Sequence, residues 1–342
     1  MLEKGRPAQV LALLKGAQKD AEALFIRAEA HRTAGMFTEA IADYSSAGEL
    51  AGEDFELYCD ILNGHAACLR TIGKSAPALK LASKSMEVSK KHGLEDLHIS
   101  ARLEKALALR ARGELNKSLA ELNSLLKIFT RRRELESIGF VKWARGGIYR
   151  LQGKFSLGAE EFRDAARLAR KTGDRSAEGY AIFGLAGIVR VGGDIAASEK
   201  YYREASRIFT GTPDTFARAY AHCGLANALR QGGKYDEAYS NYLKADKLYS
   251  SIKDEPDLGF VKWGIANILL KRGKLKEALR QFETARGLFE KYDEQRGEIL
   301  SRLSIASVEY QLGNTARAVR DYEAALGEAR QNGLYTYLEN FT

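Results

Sequence analysis

Prolines are scarce in this chain, four in 342 residues. Proline breaks a helix interior by removing a donor and clashing with the preceding turn, so its scarcity leaves long helices unobstructed. Cysteine is scarcer still. Cys59, Cys68 and Cys223 form no CxxC pair and leave an odd number, which reads as reduced, buried thiols and not a disulfide frame. No apolar run approaches the roughly 18 residues that a membrane span requires. The opening MLEKGRPAQVLALLKG has only five consecutive apolar residues, Val10 to Leu14, and no small-residue cleavage site. It reads as a terminal helix and not as a signal peptide. A soluble, cytoplasmic protein is the expectation. The P-loop, HExxH, GxSxG and GxGxxG patterns are all missing, so neither enzyme activity nor a cofactor is expected. His65 and Cys68 are three apart with Cys59 near, but a structural zinc site needs four ligands and no fourth is at hand.

What is present is a balanced globular composition, 45% hydrophobic and 29% charged, with a net charge of +8. That is a mild bias towards acidic partners, too weak for a dedicated nucleic-acid binder. The run Arg131-Arg132-Arg133 reads as a solvated loop, with a phosphate or nucleic-acid contact as its functional alternative.

One stretch organises the rest. Gly139-Phe140-Val141-Lys142-Trp143 returns unchanged 120 residues later as Gly259-Phe260-Val261-Lys262-Trp263, and it holds the only two tryptophans of the chain. Aligned on it, a glycine recurs at 35, 73, 113, 153, 193, 233, 273 and 313, spaced 38 once and 40 thereafter. Seven residues before each glycine stands a small residue (Ala28, Ala66, Ala106, Gly146, Ala186, Ala226, Ala266, Ala306), and five after it another (Ala40 through Ala318, with Ser118, Gly158 and Ser198 among them). Nine after it a large residue is usual: Tyr44, Leu122, Phe162, Tyr202, Tyr242, Phe282 and Tyr322, with Ala82 the exception. Small residues let two helices cross closely, glycine permits the turn between them, and the large residue fills the gap to the next unit.

This spacing resembles the tetratricopeptide repeat, and its 40-residue period is similar to the long-repeat branch of kinesin light chains and LGN-like adaptors. Repeats 2 and 3 depart from the pattern, with Ala82 and Leu122 for the aromatic and Ser85 and Leu125 for the last alanine. The resemblance implies an all-α, right-handed superhelical solenoid of about eight helix-turn-helix hairpins over residues 21–333. An N-terminal capping helix would occupy 1–20 and a C-terminal capping segment 334–342, where Leu334, Leu338 and Phe341 recur at helical spacing. Helix A of the first repeat is expected over about Ala21–Ala34 and helix B over Phe37–Leu50.

In the repeats that this sequence resembles, the A helices line a concave groove. The stripe facing it would lie 13, 10, 6 and 3 residues before each glycine, one face of a helix. The innermost position reads Arg32, Arg70, Arg110, Arg150, Arg190 and Arg230, then Leu270 and Tyr310. The other positions add Phe140, Trp143, Tyr180, Phe183, Tyr220, Phe260 and Trp263, with Asn227 and Asn267 on the floor. Guanidinium forks match carboxylates, and tryptophan, tyrosine and arginine dominate interface hot spots. The candidate partner-binding set is therefore Arg70, Arg110, Arg150, Arg190, Arg230, these aromatics and the two asparagines. A second reading stands beside it: the arginines pair with acids on the next helix, and the aromatics pack between helices. The expected function is a non-catalytic scaffold or adaptor that binds an acidic or aromatic-containing peptide segment of a partner protein. The alternatives are single-stranded nucleic-acid binding, a ligand- or peptide-sensing array, and self-assembly. The helix over Pro7 to Lys15 is itself a possible occupant of the groove.

Overall fold

A computed structural model describes residues 7–14, 20–211, 214–292 and 294–334. These residues form α-helices and turns, without a strand, and the chain divides into two compact units, Met1–Arg133 and Glu134–Thr342. The first unit contains α1 (Pro7–Leu13), α2 (Ala21–Thr33), α3 (Phe37–Leu50), α4 (Phe55–Thr71), α5 (Ser75–Lys91), α6 (Glu95–Ala111) and α7 (Leu115–Arg132). The second contains α8 (Leu135–Leu151), α9 (Phe155–Thr172), α10 (Arg175–Val191), α11 (Ile195–Thr210) and α12 (Thr215–Gln231). It continues with α13 (Tyr235–Ser251), α14 (Glu255–Lys271), α15 (Leu275–Lys291), α16 (Gln295–Gln311) and α17 (Thr315–Gln331). Each unit is an all-α helical-repeat stack.

The turn glycines do what their spacing implies. All eight hold positive φ, from 71° at Gly153 to 98° at Gly313, a region costly to any residue with a Cβ. The closing bonds are those of a left-handed helix cap: Gly233 N donates to Arg230 O at 3.1 Å and Lys234 N to Leu229 O at 2.8 Å. Aspartates start five of the A helices, α2, α4, α10, α12 and α14. The side chains of Asp54, Asp174 and Asp214 accept from the amides of Leu57, Ala177 and Ala217 at 3.0, 2.9 and 2.8 Å, satisfying donors the helix cannot.

Consecutive helices pack together throughout each unit. The small residues at the crossings are fully buried, and Ser118 meets the close approach by donating to the Ala106 carbonyl at 2.6 Å. The divergent repeats keep the positions and change only the residues: Ala82, Ser85, Leu122 and Leu125 are all completely buried. A second complementarity runs between repeats. Nine residues before the turn glycines, positions 64, 184, 224 and 264 are themselves glycine. Each lies against the large residue of the preceding repeat, respectively Tyr44, Phe162, Tyr202 and Tyr242. Where Ala82 replaces the aromatic, position 104 is Glu, bonded to Arg70 at 3.3 Å.

Alternate helices are not equivalent. In the second unit α8, α10, α12, α14 and α16 touch in succession, as do α2, α4 and α6 in the first. The intervening helices come no closer than grazing contact with one another among the described residues. The A helices therefore form the inner face of each stack. At the start of the chain α1 packs on α2 through the buried Val10. At the end Leu334 is buried against Ile299, Leu303, Ala325 and Ala329. Leu338 and Phe341, expected in a C-terminal capping helix, lie outside the described residues.

Candidate functional site

The A-helix face of the second unit gathers most of the residues singled out in the sequence. A row of rings crosses it. Phe140 and Trp143 on α8 lie 5.5 Å apart, and Trp143 meets Tyr180 of α10 edge-on at 6.5 Å. Phe183 stacks on Tyr220 of α12 at 3.7 Å, and Tyr220 on Phe216 at 5.6 Å. Phe140 remains 40% exposed, while Trp143, Tyr180, Tyr220 and Phe260 are half-buried. Aromatic pairs of this kind contribute about 0.5–1.5 kcal/mol beyond their buried area, so the row is stiff as well as apolar.

Four of the expected lining residues are turned into the packing instead. Trp263 is 2% exposed, its indole Nε1 donating to Ser304 Oγ at 3.0 Å. Arg230 is 7% exposed, with its guanidinium 5.1 Å from the Trp263 ring and Nε donating to Tyr242 Oη at 3.4 Å. Arg190 and Phe183 are buried as well, at 3% and 7%. Neighbouring A helices pack directly on one another, so a residue that faces the next helix is covered even on the inner side. Asn227 accepts from Tyr242 Oη at 2.7 Å, and Asn267 donates to the Trp263 carbonyl at 2.8 Å; both remain half-buried.

The arginine column is thus not a uniform open surface: Arg70 and Arg230 tie neighbouring helices together. In the first unit Arg32 is bonded to Glu29 at 2.6 Å and Arg70 to Glu104 at 3.3 Å, while Arg110 is half-buried. Arg150 is half-buried in the second unit, and its charge acts on Tyr220, whose hydroxyl is nevertheless pushed up to about 12 by burial. Arg132, from the basic run, is held by Glu95 and Asp96 at 2.6 Å each.

Sequence reasoning places Asp174, Asp214 and Asp254 only as linker caps and misses the acidic column they belong to at the other end of the A helices. Nineteen residues before the turn glycines stand Glu134, Asp174, Asp214, Asp254 and Glu294, a periodic signal as regular as the arginines. Tyr180 Oη donates to Asp214 at 3.1 Å, and burial with this carboxylate raises its pKa. Asp254 accepts the amide of Asp257 at 3.2 Å, and burial lifts it to about 6. Burial and the neighbouring Asp254 lift Asp257 well above the ordinary carboxylate range, and burial raises Glu294 also. Arg296 completes this end, its guanidinium 4.7 Å from the centre of the Phe260 ring. The inner face is aromatic in the middle and mixed in charge, not a uniform cationic rail.

His65 stacks on Tyr44 at 6.2 Å and Cys68 is buried among apolar neighbours. No group of three His, Cys, Asp or Glu side chains suited to a metal occurs among the described residues, and none of their helices is long and apolar enough to cross a membrane.

No curated protein matches this sequence. Residues 264–333 match the model of the tetratricopeptide repeat. Among solved structures, the apo form of RapI has a TM-score of 0.59 at 13% identity, over 80% of this chain and 99% of its own. The Rap conjugation gene regulator of the plasmid pLS20, solved in complex with the Phr* peptide, has a TM-score of 0.66 at 14% identity, over 80% of this chain and 74% of its own. At such identities the likeness is one of fold. Glycine-turned hairpins run through both units, and the last of them, over residues 264–333, match the tetratricopeptide repeat directly.

Proposed function

We propose that this chain is a non-catalytic binding scaffold that holds an extended segment of a partner protein against the A-helix face of its second unit. The segment carries aromatic or acidic side chains, and the hairpins over residues 21–333 form the binding body, with 1–20 and 334–342 as its caps. The observation that carries the reading is the half-open aromatic row from Phe140 and Trp143 through Tyr180 to Tyr220. Rigid rings that keep accessible area beside polar groups are what interface anchors require. The fold shared with a Rap regulator solved with a bound peptide supports the same reading. Asn227 and Asn267 would hold backbone amides of the segment, and Arg150 a carboxylate at the α8 end.

The test begins with selection of peptides from a random library on the whole chain, followed by fluorescence anisotropy. Peptides should enrich for aromatic residues and lose at least about tenfold in affinity on a Phe140→Ala, Arg150→Glu protein, the equivalent of about 1.4 kcal/mol. A Leu243→Ala control, altering an exposed residue of α13, should bind as the original does. Equal affinity for all three proteins, with each folded by circular dichroism, would remove the inner face from consideration.

A further inference from the structure

Away from the aromatic row, α11, α12 and α13 enclose a cleft of about 370 Å³ lined by Ser206, Thr210, Arg218, His222, Lys244, Lys247 and Leu248. The polar residues come as helical pairs, Ser206 with Thr210, Arg218 with His222, and Lys244 with Lys247, so three helices turn one face each towards the same space. No carboxylate is among the lining residues.

The other repeats supply an internal comparison. Eleven residues before the turn glycine, repeats 3, 4, 7 and 8 carry a cation where repeats 1, 2 and 5 have Leu24, Leu62 and Ile182, and an acid on a neighbouring helix answers each cation. Arg102 meets Glu121 at 2.5 Å, Lys142 meets Asp164 at 2.8 Å, Lys262 meets Asp246 at 2.6 Å and Arg302 meets Glu328 at 2.6 Å. In repeat 6 this pattern is inverted. His222 occupies the position, and its Nδ1 lies 3.0 Å from the amide oxygen of Asn241, which stands where earlier repeats have Glu121 and Glu161. Lys244 stands where they have Asp164 and Glu204.

The cations here are not neutralised from elsewhere. Arg218, Lys244 and Lys247 form no ion pair among the described residues. Arg218 donates only to the Thr215 hydroxyl at 3.2 Å, and its Nε is buried with no partner among the described residues. Asp246, the nearest acid along α13, is spent on Lys262. Burial holds the His222 ring below its ordinary pKa, and the charges of Lys244 and Arg218 add to that effect, which attests that the three groups converge. A structure leaves like charges together at a cost unless a counter-charge joins them.

We propose that this cleft binds a phosphate-class oxyanion, held by Arg218, His222 and Lys244 with Lys247 at the rim. The anion is either free in solution or carried covalently by another molecule, since both present the same oxygens. A bound dianion would favour the imidazolium, so binding takes up a proton at His222, faced by Arg218, Lys244 and Lys247.

Isothermal titration of the full chain at pH 7 and low salt tests this, with inorganic phosphate as the first probe. A phosphoserine hexapeptide and its unphosphorylated twin are the second pair. Saturable phosphate binding should weaken at least about tenfold in an Arg218→Gln, Lys244→Gln protein and stay within about twofold in Lys262→Gln, whose lysine is already paired. Repeating the titration in two buffers of different ionisation heat should reveal proton uptake. A phosphopeptide that binds more tightly than phosphate, with an inert twin, assigns the anion to a carrier; equal affinity assigns it to the free ion. Absence of saturable binding by either probe, or an equal loss in Lys262→Gln, overturns the site.

Discussion

Replacing Gly184 by alanine tests the inter-repeat packing rule directly. A Cβ there would lie 2.6 Å from Cδ1 and 2.7 Å from Cζ of Phe162, well inside van der Waals contact. The ring has little room to retreat, because Phe162 is 3% exposed and the same ring atoms lie 3.0 Å from where a Cβ on Gly146 would stand. Two effects oppose. Alanine gains about 1 kcal/mol over glycine in a helix interior. Overpacking a closed core costs about 1–3 kcal/mol or more, and a buried ring already close to two glycines belongs at the upper end. The net loss should be about 2 kcal/mol, a fall of about 4–8 °C in the melting temperature. The decisive measurement is a double-mutant cycle with Phe162→Leu. Alone, Phe162→Leu leaves a cavity and costs about 1–2 kcal/mol. Together the two changes relieve each other, so the pair should be more stable than the sum of the single losses by at least about 1 kcal/mol. Additivity within about 0.5 kcal/mol would refute the claim that position 184 is glycine because position 162 is aromatic.

Other consequences can be measured on the same protein. The two tryptophans differ in environment, so a Trp143→Phe protein, reporting only Trp263, should emit further to the blue and resist acrylamide quenching more than Trp263→Phe does; equal quenching would contradict the burial of Trp263. The carboxyl pair sets a pH dependence. Asp254 and Asp257 titrate above the ordinary carboxylate range, so the folded state holds more protons than the unfolded one above about pH 4, and stability from this pair falls as pH rises through about 6 and beyond. Asp257→Asn should therefore gain stability relative to the original protein between pH 4 and pH 8, and parallel melting curves across that range would dismiss the effect. Substituting the turn residue Gly233, at φ 76°, by alanine should cost about 1 kcal/mol or more through the left-handed strain, seen as a lower urea midpoint; an unchanged midpoint would show the turn to be relaxed.

The period of the turn glycines carries the hairpin architecture, because a left-handed turn position tolerates almost nothing else and so writes itself into the sequence at every repeat. The helix limits follow for the same reason: α2 ends at Thr33 and α3 spans Phe37–Leu50, on either side of the first turn. The partitioning of the candidate site was less legible. Offsets of 13, 10, 6 and 3 residues define one face of a helix, but a face shared with the next A helix is half interface and half surface. That is why Phe140 is open while Phe183, Arg190, Arg230 and Trp263 are covered, although all belong to the same stripe. The acidic column ending in Asp254 and Glu294 was readable as periodicity, yet its raised protonation depends on burial that no single helix reveals.

The repeat, the turn, the small crossing residues and the all-α class can be read from the residues alone, since each rests on local backbone geometry or on contacts within one hairpin. Packing between repeats sets which arginines are covered, why four helical positions must be glycine, and that the cations of α12 and α13 meet without an acid between them. Those outcomes depend on distances between helices from different repeats, and a linear spacing fixes the face a residue occupies but not what stands opposite it.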